Sequence, residues 1–319
     1  MVASDTKARN RHSPIPMDTP GWALVVEAEG HGVRLDAYLS RRIARLTRSR
    51  AARLVVFDLD HPERRLKKGA VLRVGQRLWA SRPVSDAEAG LAAPTVLFED
   101  EALLMLNTPA GLAVHPTATR YRRTVTHWLA RHFKGLRVEP THRLDVETSS
   151  VLLCGKGLAT IQTLRTAFAE GALEKRDLAV IEGVPNRDRW TADIPLGFDA
   201  AGAVRLKMGR GRMAACTDFR VRKRGAARTL VEALPRTGRQ HQIRVHAALT
   251  GHPIVGDKLY GPDEGLFLAS LSRPLTAAEN ARLGAPRQAL HAARLELVLN
   301  GRQRLFEAPS PALFESLLT

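Results

Sequence analysis

From residue 95 onward, short apolar runs with strand character outnumber the stretches with helical spacing, and the two do not alternate. Thr95–Phe98, Ala102–Leu106, Val151–Cys154, Asp177–Glu182, Ala214–Arg222 and Thr229–Leu234 have the length and composition of strands. Leu158, Ile161, Leu164 and Phe168 recur at helical spacing, and Gly171 is placed to end that helix. Thr124–Phe133 and Gln240–Thr250, the latter closed by Gly251, read as further helices. A doubly wound parallel sheet needs a helix after nearly every strand, and this chain does not supply one. The expected fold is α+β, built on a mixed, largely antiparallel sheet.

A smaller unit is expected in front of it. Leu35, Leu39, Ile43 and Leu46 fall on one helical face, with Arg34, Arg41, Arg42 and Arg45 largely off that stripe. Thr47 can cap a second short helix running through Ala51 to Val55, and a basic, strand-like stretch follows from Arg64 to Arg82. Residues 31–82 thus predict a small α/β module with one heavily basic side, on which Arg41, Arg42, Arg45, Arg48 and Arg50 are candidates for phosphate contact. The stretch 83–94 is rich in Ala, Gly and Pro and reads as a linker to a larger domain at 95–319. Residues 1–20 are polar, rich in Pro and Ser, and lack the apolar core of a secretory signal; a disordered tail is expected there.

The charge balance bears on the partner. Lys and Arg number 49 against 32 Asp and Glu, a net charge of +17, which suits a polyanion. No long amphipathic basic helix points to a membrane surface, and no apolar run approaches the ~20 residues of a membrane span. Cys154 and Cys216 stand neither in a paired motif nor beside a histidine ligand set, so no disulfide framework, zinc site or other metal is indicated, and a reducing cytoplasm fits. There is no phosphate-binding glycine loop; Gly209-Arg210-Gly211-Arg212 reads as a basic turn.

Three segments concentrate polar groups among apolar neighbours: His142-Arg143-Leu144-Asp145 with Thr148-Ser149-Ser150; Thr237-Gly238-Arg239-Gln240-His241-Gln242-Ile243-Arg244; and Gly251-His252-Pro253-Ile254-Val255-Gly256-Asp257, leading to Tyr260-Gly261. Any one alone fits a buried ion pair or a solvated turn. Together, in this order, they resemble the RluA-type pseudouridine synthases. Phe98-Glu99-Asp100, Asn107-Thr108-Pro109-Ala110-Gly111, Val114-His115-Pro116 and Leu290-His291-Ala292 extend the resemblance through almost all of residues 95–319. The front module resembles, less closely, the small ribosomal-protein-like RNA-binding module that many of these enzymes carry. Phe57-Asp58-Leu59-Asp60 stands where that module has a valine-asparagine-glycine turn.

The resemblance implies an isomerase that converts uridine to pseudouridine in structured RNA, leaning towards ribosomal RNA. The base is detached from ribose carbon 1′, turned, and rejoined through its carbon 5. No electrons are exchanged, so no cofactor is expected. Asp145 takes the place of the family's catalytic carboxylate, as nucleophile or as base. Arg244 is placed to keep it ionised and oriented. Arg143 is placed to fill the gap left by the extruded base, the alternative being a surface pair with Glu139 or Glu147. Arg239 is a further RNA-contact candidate. His142 and His241 are expected to be structural hydrogen-bonding groups, and Leu144, Ile243 and Val245 to form a dry wall.

Three positions depart from the family pattern. Asp177 stands where the family has an active-site tyrosine, Thr108 where lysine is usual and Ser150 where glycine is usual. If Asp177 lies in the site, its charge is expected to act against that of Asp145, with Arg244 or Arg176 offsetting it. If position 150 needs positive φ, serine there is strained. Two function classes follow: an active isomerase with altered kinetics, or a non-catalytic RNA-binding or ribosome-assembly factor of the same descent.

Overall fold

The computed structural model describes residues 21–44, 46–81, 92–117, 120, 123–200, 202–299 and 301–319. The expected tail at 1–20, most of the linker and Arg45 lie outside the described residues. The chain divides into two compact units, Met1–Ala89 with Ala118–Arg122, and Gly90–Thr117 with Arg123–Thr319.

In the first unit, β1 (Gly21–Val25), α1 (Leu35–Arg42), α2 (Arg48–Ala51), β2 (Val55–Asp58), β3 (Arg65–Leu66) and β4 (Arg77–Ser81) follow in order. The sheet runs β1-β4-β2-β3, antiparallel throughout. Leu35, Tyr38 and Leu39 from α1 pack on Val56, Leu72, Leu78 and Ala80. The apolar stripe is real, but the helix stops at Arg42, so Ile43 and Leu46 reach the same core from the turn that follows. Thr47 does cap α2, accepting from the Arg50 amide. That helix is one turn long, because Val55 and Val56 are drawn into pairing with Ser81 and Ala80. β1 lies ahead of the expected module and pairs along the whole of β4.

The second unit contains β5 (Thr95–Glu99), β6 (Leu103–Thr108), α3 (Val125–His132), β7 (Val138–Pro140), β8 (Ser149–Lys156), α4 (Leu158–Glu170), β9 (Leu173–Glu182), β10 (Arg189–Asp193), β11 (Leu196–Phe198), β12 (Met208–Arg210), β13 (Cys216–Arg224), β14 (Arg228–Pro235), α5 (Gln242–Leu249), α6 (Gly265–Ser272), α7 (Ala277–Leu283), β15 (Leu290–Leu299), β16 (Arg302–Glu307) and α8 (Ala312–Ser316). The main sheet follows β10-β13-β14-β9-β15-β8-β6-β5, with β16 on β15 and β7 on β8. Among the described residues its one parallel pairing is β15 with β8, at His291–Ser149 and Ala292–Ser150. The sheet is mixed and largely antiparallel, as the order of apolar runs predicts.

β6 and β8 read as continuous apolar runs because both of their faces are covered. Leu103, Met105, Val151 and Leu153 pack towards Leu164 of α4, while Leu104, Leu106, Leu152 and Cys154 pack towards Val125 and Leu129 of α3. On the other half of the sheet, Val180 and Val231 share a core with Ile243 and Ala247 of α5 and Phe314 of α8. The expected basic turn at 209–212 is instead partly strand: β12 pairs with β11, held by the buried Leu196 and Met208. No described helix is long and apolar enough to cross a membrane.

Candidate active site

The segment from Thr141 to Thr148 is pinned at both ends to the sheet. Thr141 donates through its amide (3.0 Å) and hydroxyl (2.9 Å) to the Leu153 carbonyl, and the Leu153 amide donates to His142 Nε2 at 3.1 Å. At the far end the Thr148 amide donates to the Asp145 carbonyl, closing a tight turn, and Gln288 Nε2 donates to Thr148 Oγ1 at 2.7 Å. Asp145 therefore projects from a turn whose flanks are fixed. His142 stacks on Phe168 with 4.5 Å between ring centroids, and burial pushes its pKa down to about 3, so it is a neutral acceptor.

Arg244 reaches that turn from the first turn of α5. Its Nη1 donates to Asp145 Oδ2 at 2.7 Å, while Nε and Nη2 grip the two oxygens of Asp257 at 2.7 and 2.8 Å. Asp257 is fully buried, and its Oδ1 also accepts from the amides of Leu259 and Tyr260. Burial alone would raise its pKa; the Arg244 charge, with these hydrogen bonds, outweighs that and holds the carboxyl below its usual value. Buried Arg244 in turn has its pKa raised, Asp257 and Asp145 overcoming the effect of burial. Gln242 fixes the loop ahead of α5, accepting from Thr237 Oγ1 (2.6 Å) and the Arg239 amide (3.0 Å) and donating to the Cys216 carbonyl and Thr217 Oγ1.

His241 is the one described non-glycine residue with positive φ, at 54°. This sparsely populated conformation sets its ring between Tyr260 and Asp145. The Met208 amide donates to Tyr260 Oη, and the Tyr260 hydroxyl lies 2.8 Å from His241 Nδ1. With the hydroxyl proton donated to Nδ1, the ring proton sits on Nε2, which faces Asp145 Oδ1 at 3.8 Å. Burial depresses His241 to about 4, so the ring is neutral near pH 7.

Asp145, His241, Gln242 and Arg244 line a cavity of about 400 Å³ that also takes in Arg143, Lys175, Asp177, Arg239 and Arg294. Leu144 and Ile243 contribute to its wall; Val245 does not, because two residues on from Ile243 it points to the other side of α5 and packs with Leu196, Leu259 and Tyr260. Arg143 is exposed, and its side chain makes no hydrogen bond or ion pair among the described residues. Its alternative partners are occupied: Glu139 by Arg137 and Arg165, and Glu147 by Lys258. Arg239 is exposed and is steadied by a 3.0 Å bond from Nε to the Ala214 carbonyl.

Asp177 lines the same cavity, but its charge environment differs from the expectation. Burial pushes its pKa up to about 7, and the opposing influence is the cation of Lys175, two residues back on the same strand face. Asp145 is not among the causes. Arg176 faces the other way and pairs with Glu174. In the first unit, Arg41 and Arg50 are exposed and make no ion pair among the described residues. Arg42 pairs with Glu27 and Glu29, and Arg48 with Asp36.

Asp257, Tyr260 and Lys175 were not singled out from the sequence. Asp257 and Tyr260 close the third motif segment, and a buried aspartate beside an arginine motif was the available signal. Lys175 matches the lysine that precedes the family's active-site tyrosine by two positions, but that match gave it no role.

The cavity joins an arginine-held carboxylate to exposed arginines, an arrangement suited to nucleophilic or acid–base work on an anionic substrate. The RNA pseudouridylate synthase family model matches residues 102–249. An uncharacterized RNA pseudouridine synthase of Synechocystis is 31% identical over 325 residues, 94% of each chain. The ribosomal large subunit pseudouridine synthase D of Nitrosomonas europaea is 31% identical over 301 residues, 90% of this chain and 84% of that protein. The solved structure of human RNA Pseudouridylate Synthase Domain Containing 1 aligns with a TM-score of 0.55 at 25% identity, over 69% of this chain and 84% of that one. The chain belongs to the RluA-type RNA pseudouridine synthases, isomerases that act on uridine in RNA.

Proposed function

We propose that this enzyme acts in the cytoplasm on large-subunit ribosomal RNA, with Asp145 as the carboxylate that works at ribose carbon 1′. One observation carries the site assignment: Arg244 holds Asp145 at 2.7 Å while its other two donors are locked on buried Asp257. A guanidinium fixed in that way keeps the carboxylate charged and aimed into the cavity. The target nucleotide leaves its stack to enter, at a cost of a few kcal/mol. Arg143, exposed at the cavity and without an ion pair among the described residues, is suited to occupy the vacated space and hold neighbouring phosphates. The first unit supplies a small basic domain for the RNA around the target, with Arg41 and Arg50 among the cations that have no ion pair among the described residues. The ribosomal substrate is favoured by the similarity to a ribosomal large subunit synthase over 84% of that protein's length.

The test is to delete the gene and map pseudouridine across cellular RNA. One or a few sites in large-subunit ribosomal RNA should be lost. The wild-type gene should restore them and an Asp145→Asn allele should not. An unchanged map, or restoration by the Asn allele, refutes the assignment.

A further inference from the structure

The cavity contains a second carboxylate, Asp177, with no hydrogen-bond partner among the described residues. Asp177 is only 8% exposed, yet no described residue hydrogen-bonds to its side chain. Its neighbours across the sheet are Ala233 on β14 and Ala292 on β15, whose methyl groups leave the carboxyl open to the cavity. A buried carboxyl without a partner opposes folding and persists in working sites for a reason. The charged groups sharing its cavity are Lys175 on its own strand, Arg294 from β15, Arg143 and Asp145 from the 141–148 turn, Arg239, and Arg244 of α5. Arg244 is committed to Asp145 and Asp257. Lys175 has no ion pair within 4 Å among the described residues, and its ammonium lies 5.8 Å from the Phe168 ring centre.

The reaction has a step that Asp145 and Arg244 leave unserved. Cleavage of the glycosidic bond leaves the electron pair on nitrogen 1 of uracil. Bond formation from carbon 5 to ribose carbon 1′ makes that carbon tetrahedral, bearing both the sugar and its original hydrogen. The product forms when carbon 5 loses this proton, the electron pair restoring the carbon 5–carbon 6 double bond, and nitrogen 1 gains one. The two transfers balance, and no oxidant or reductant takes part.

We propose that Asp177 is the base for this step: its carboxylate takes the proton from carbon 5 and returns one to nitrogen 1, directly or through water. Lys175 is a positioning residue that supplies the opposing charge. The inference rests on the pseudouridine synthase reading of the cavity. A base with a pKa near the working pH is efficient at such transfers, and burial places Asp177 there.

The test uses the full-length protein and an unmodified transcript of the host's large-subunit ribosomal RNA, made with hydrogen or deuterium at carbon 5 of uridine. The wild type should show an isotope effect near unity. Asp177→Asn should slow product formation by about 100-fold or more, with a several-fold isotope effect, because proton removal has become limiting. Asp177→Glu should regain part of the rate. In Asp177→Ala, added formate should restore turnover, which a purely structural role does not allow. An Asn variant that keeps its rate and isotope effect, or an Ala variant that folds and is indifferent to formate, overturns the proposal while leaving the activity standing. Absence of turnover by the wild type on the transcript and on RNA from the deletion strain overturns both.

Discussion

The side-chain hydroxyls of Thr108 and Ser150 lie 2.7 Å apart, buried at directly paired positions of β6 and β8. These are two of the three departures from the family pattern, and they satisfy one another. Ser150 sits in regular strand without positive φ, so the strain expected of serine there is absent. The relationship depends on strand register, which residue identities at positions 42 apart do not reveal.

The pair makes a prediction about coupling. Ser150→Ala or Thr108→Val alone strands a buried hydroxyl and should cost about 1–3 kcal/mol. Thr108 retains only a 3.4 Å hydrogen bond to the Ser150 carbonyl once its partner is gone. The double variant should cost clearly less than the sum. Urea melts of the four proteins measure this, and additivity within ~0.5 kcal/mol would mean that the hydroxyls do not interact.

Arg244→Met should remove turnover and destabilise the fold by about 3–5 kcal/mol, because Asp257 is left as an uncompensated buried charge. Asp257→Asn should lower turnover without touching substrate, by loosening the guanidinium that aims Asp145. Asp257 has a depressed pKa, so its stabilising contribution is present above the unfolded value of about 3.8 and is lost as pH falls through the folded one. The wild type should therefore lose stability in acid more steeply than Asp257→Asn. Equal acid sensitivity of the two proteins refutes the clamp.

The distinctive residue types and order of the motif segments pointed to Asp145, Arg143 and Arg244, which the fold brings to one cavity, and the succession of apolar runs made the α+β class legible. The cavity's charge balance was not. Whether Asp177 opposes Asp145 depends on which face of β9 it occupies and on what lies across the sheet. Period-2 alternation puts Lys175, not Arg176, beside it. Ile43 and Leu46 show the same limit in the first unit: their spacing marks burial correctly, but a turn delivers them as well as a helix does. Val245 was misplaced because neighbours in a helical motif diverge by 100° per residue.

The first unit's arginines should contribute unequally to RNA affinity. Arg41 and Arg50 have no ion pair among the described residues, whereas Arg42 and Arg48 are partly neutralised by Glu27, Glu29 and Asp36. Each arginine that neutralises a phosphate adds about 1 to the slope of log affinity against log salt. An Arg41→Gln/Arg50→Gln double variant should flatten that slope by up to about 2, and an Arg42→Gln/Arg48→Gln variant by less. Filter binding to the transcript from about 50 to 200 mM salt separates the two. Identical slopes for wild type and the first variant would place this face away from RNA.

Asp177 should set stability and activity against each other as pH changes. Its folded pKa is raised to about 7 by burial, while the unfolded chain returns it to the ordinary carboxylate value near 3.8. Below the unfolded value both states hold the proton and the group is neutral towards folding. Between the two values the folded state binds more protons than the unfolded one, so stability falls as pH rises. Above about 7 the full penalty applies. Asp177→Asn keeps the shape and removes the charge. It should therefore match the wild type near pH 4 and exceed it by up to a few kcal/mol at pH 8. Turnover should move the other way. Below about pH 7, where Asp177 is protonated, proton removal should become limiting, so the wild-type rate should fall and a carbon 5 isotope effect appear that is absent near pH 8, while the Asn variant stays slow and flat. Asp177→Tyr restores a ring but loses the carboxylate, and a phenol of pKa about 10 is a base only at higher pH, so its activity at pH 7 should not exceed that of the wild type. Urea melts and single-turnover rates at pH 5, 6.5 and 8 (spanning the titration of a group near 7) measure both trends. If Asp177→Asn leaves stability unchanged at every pH, the carboxyl is solvated and ionises normally, and both its burial and its role as a base are wrong.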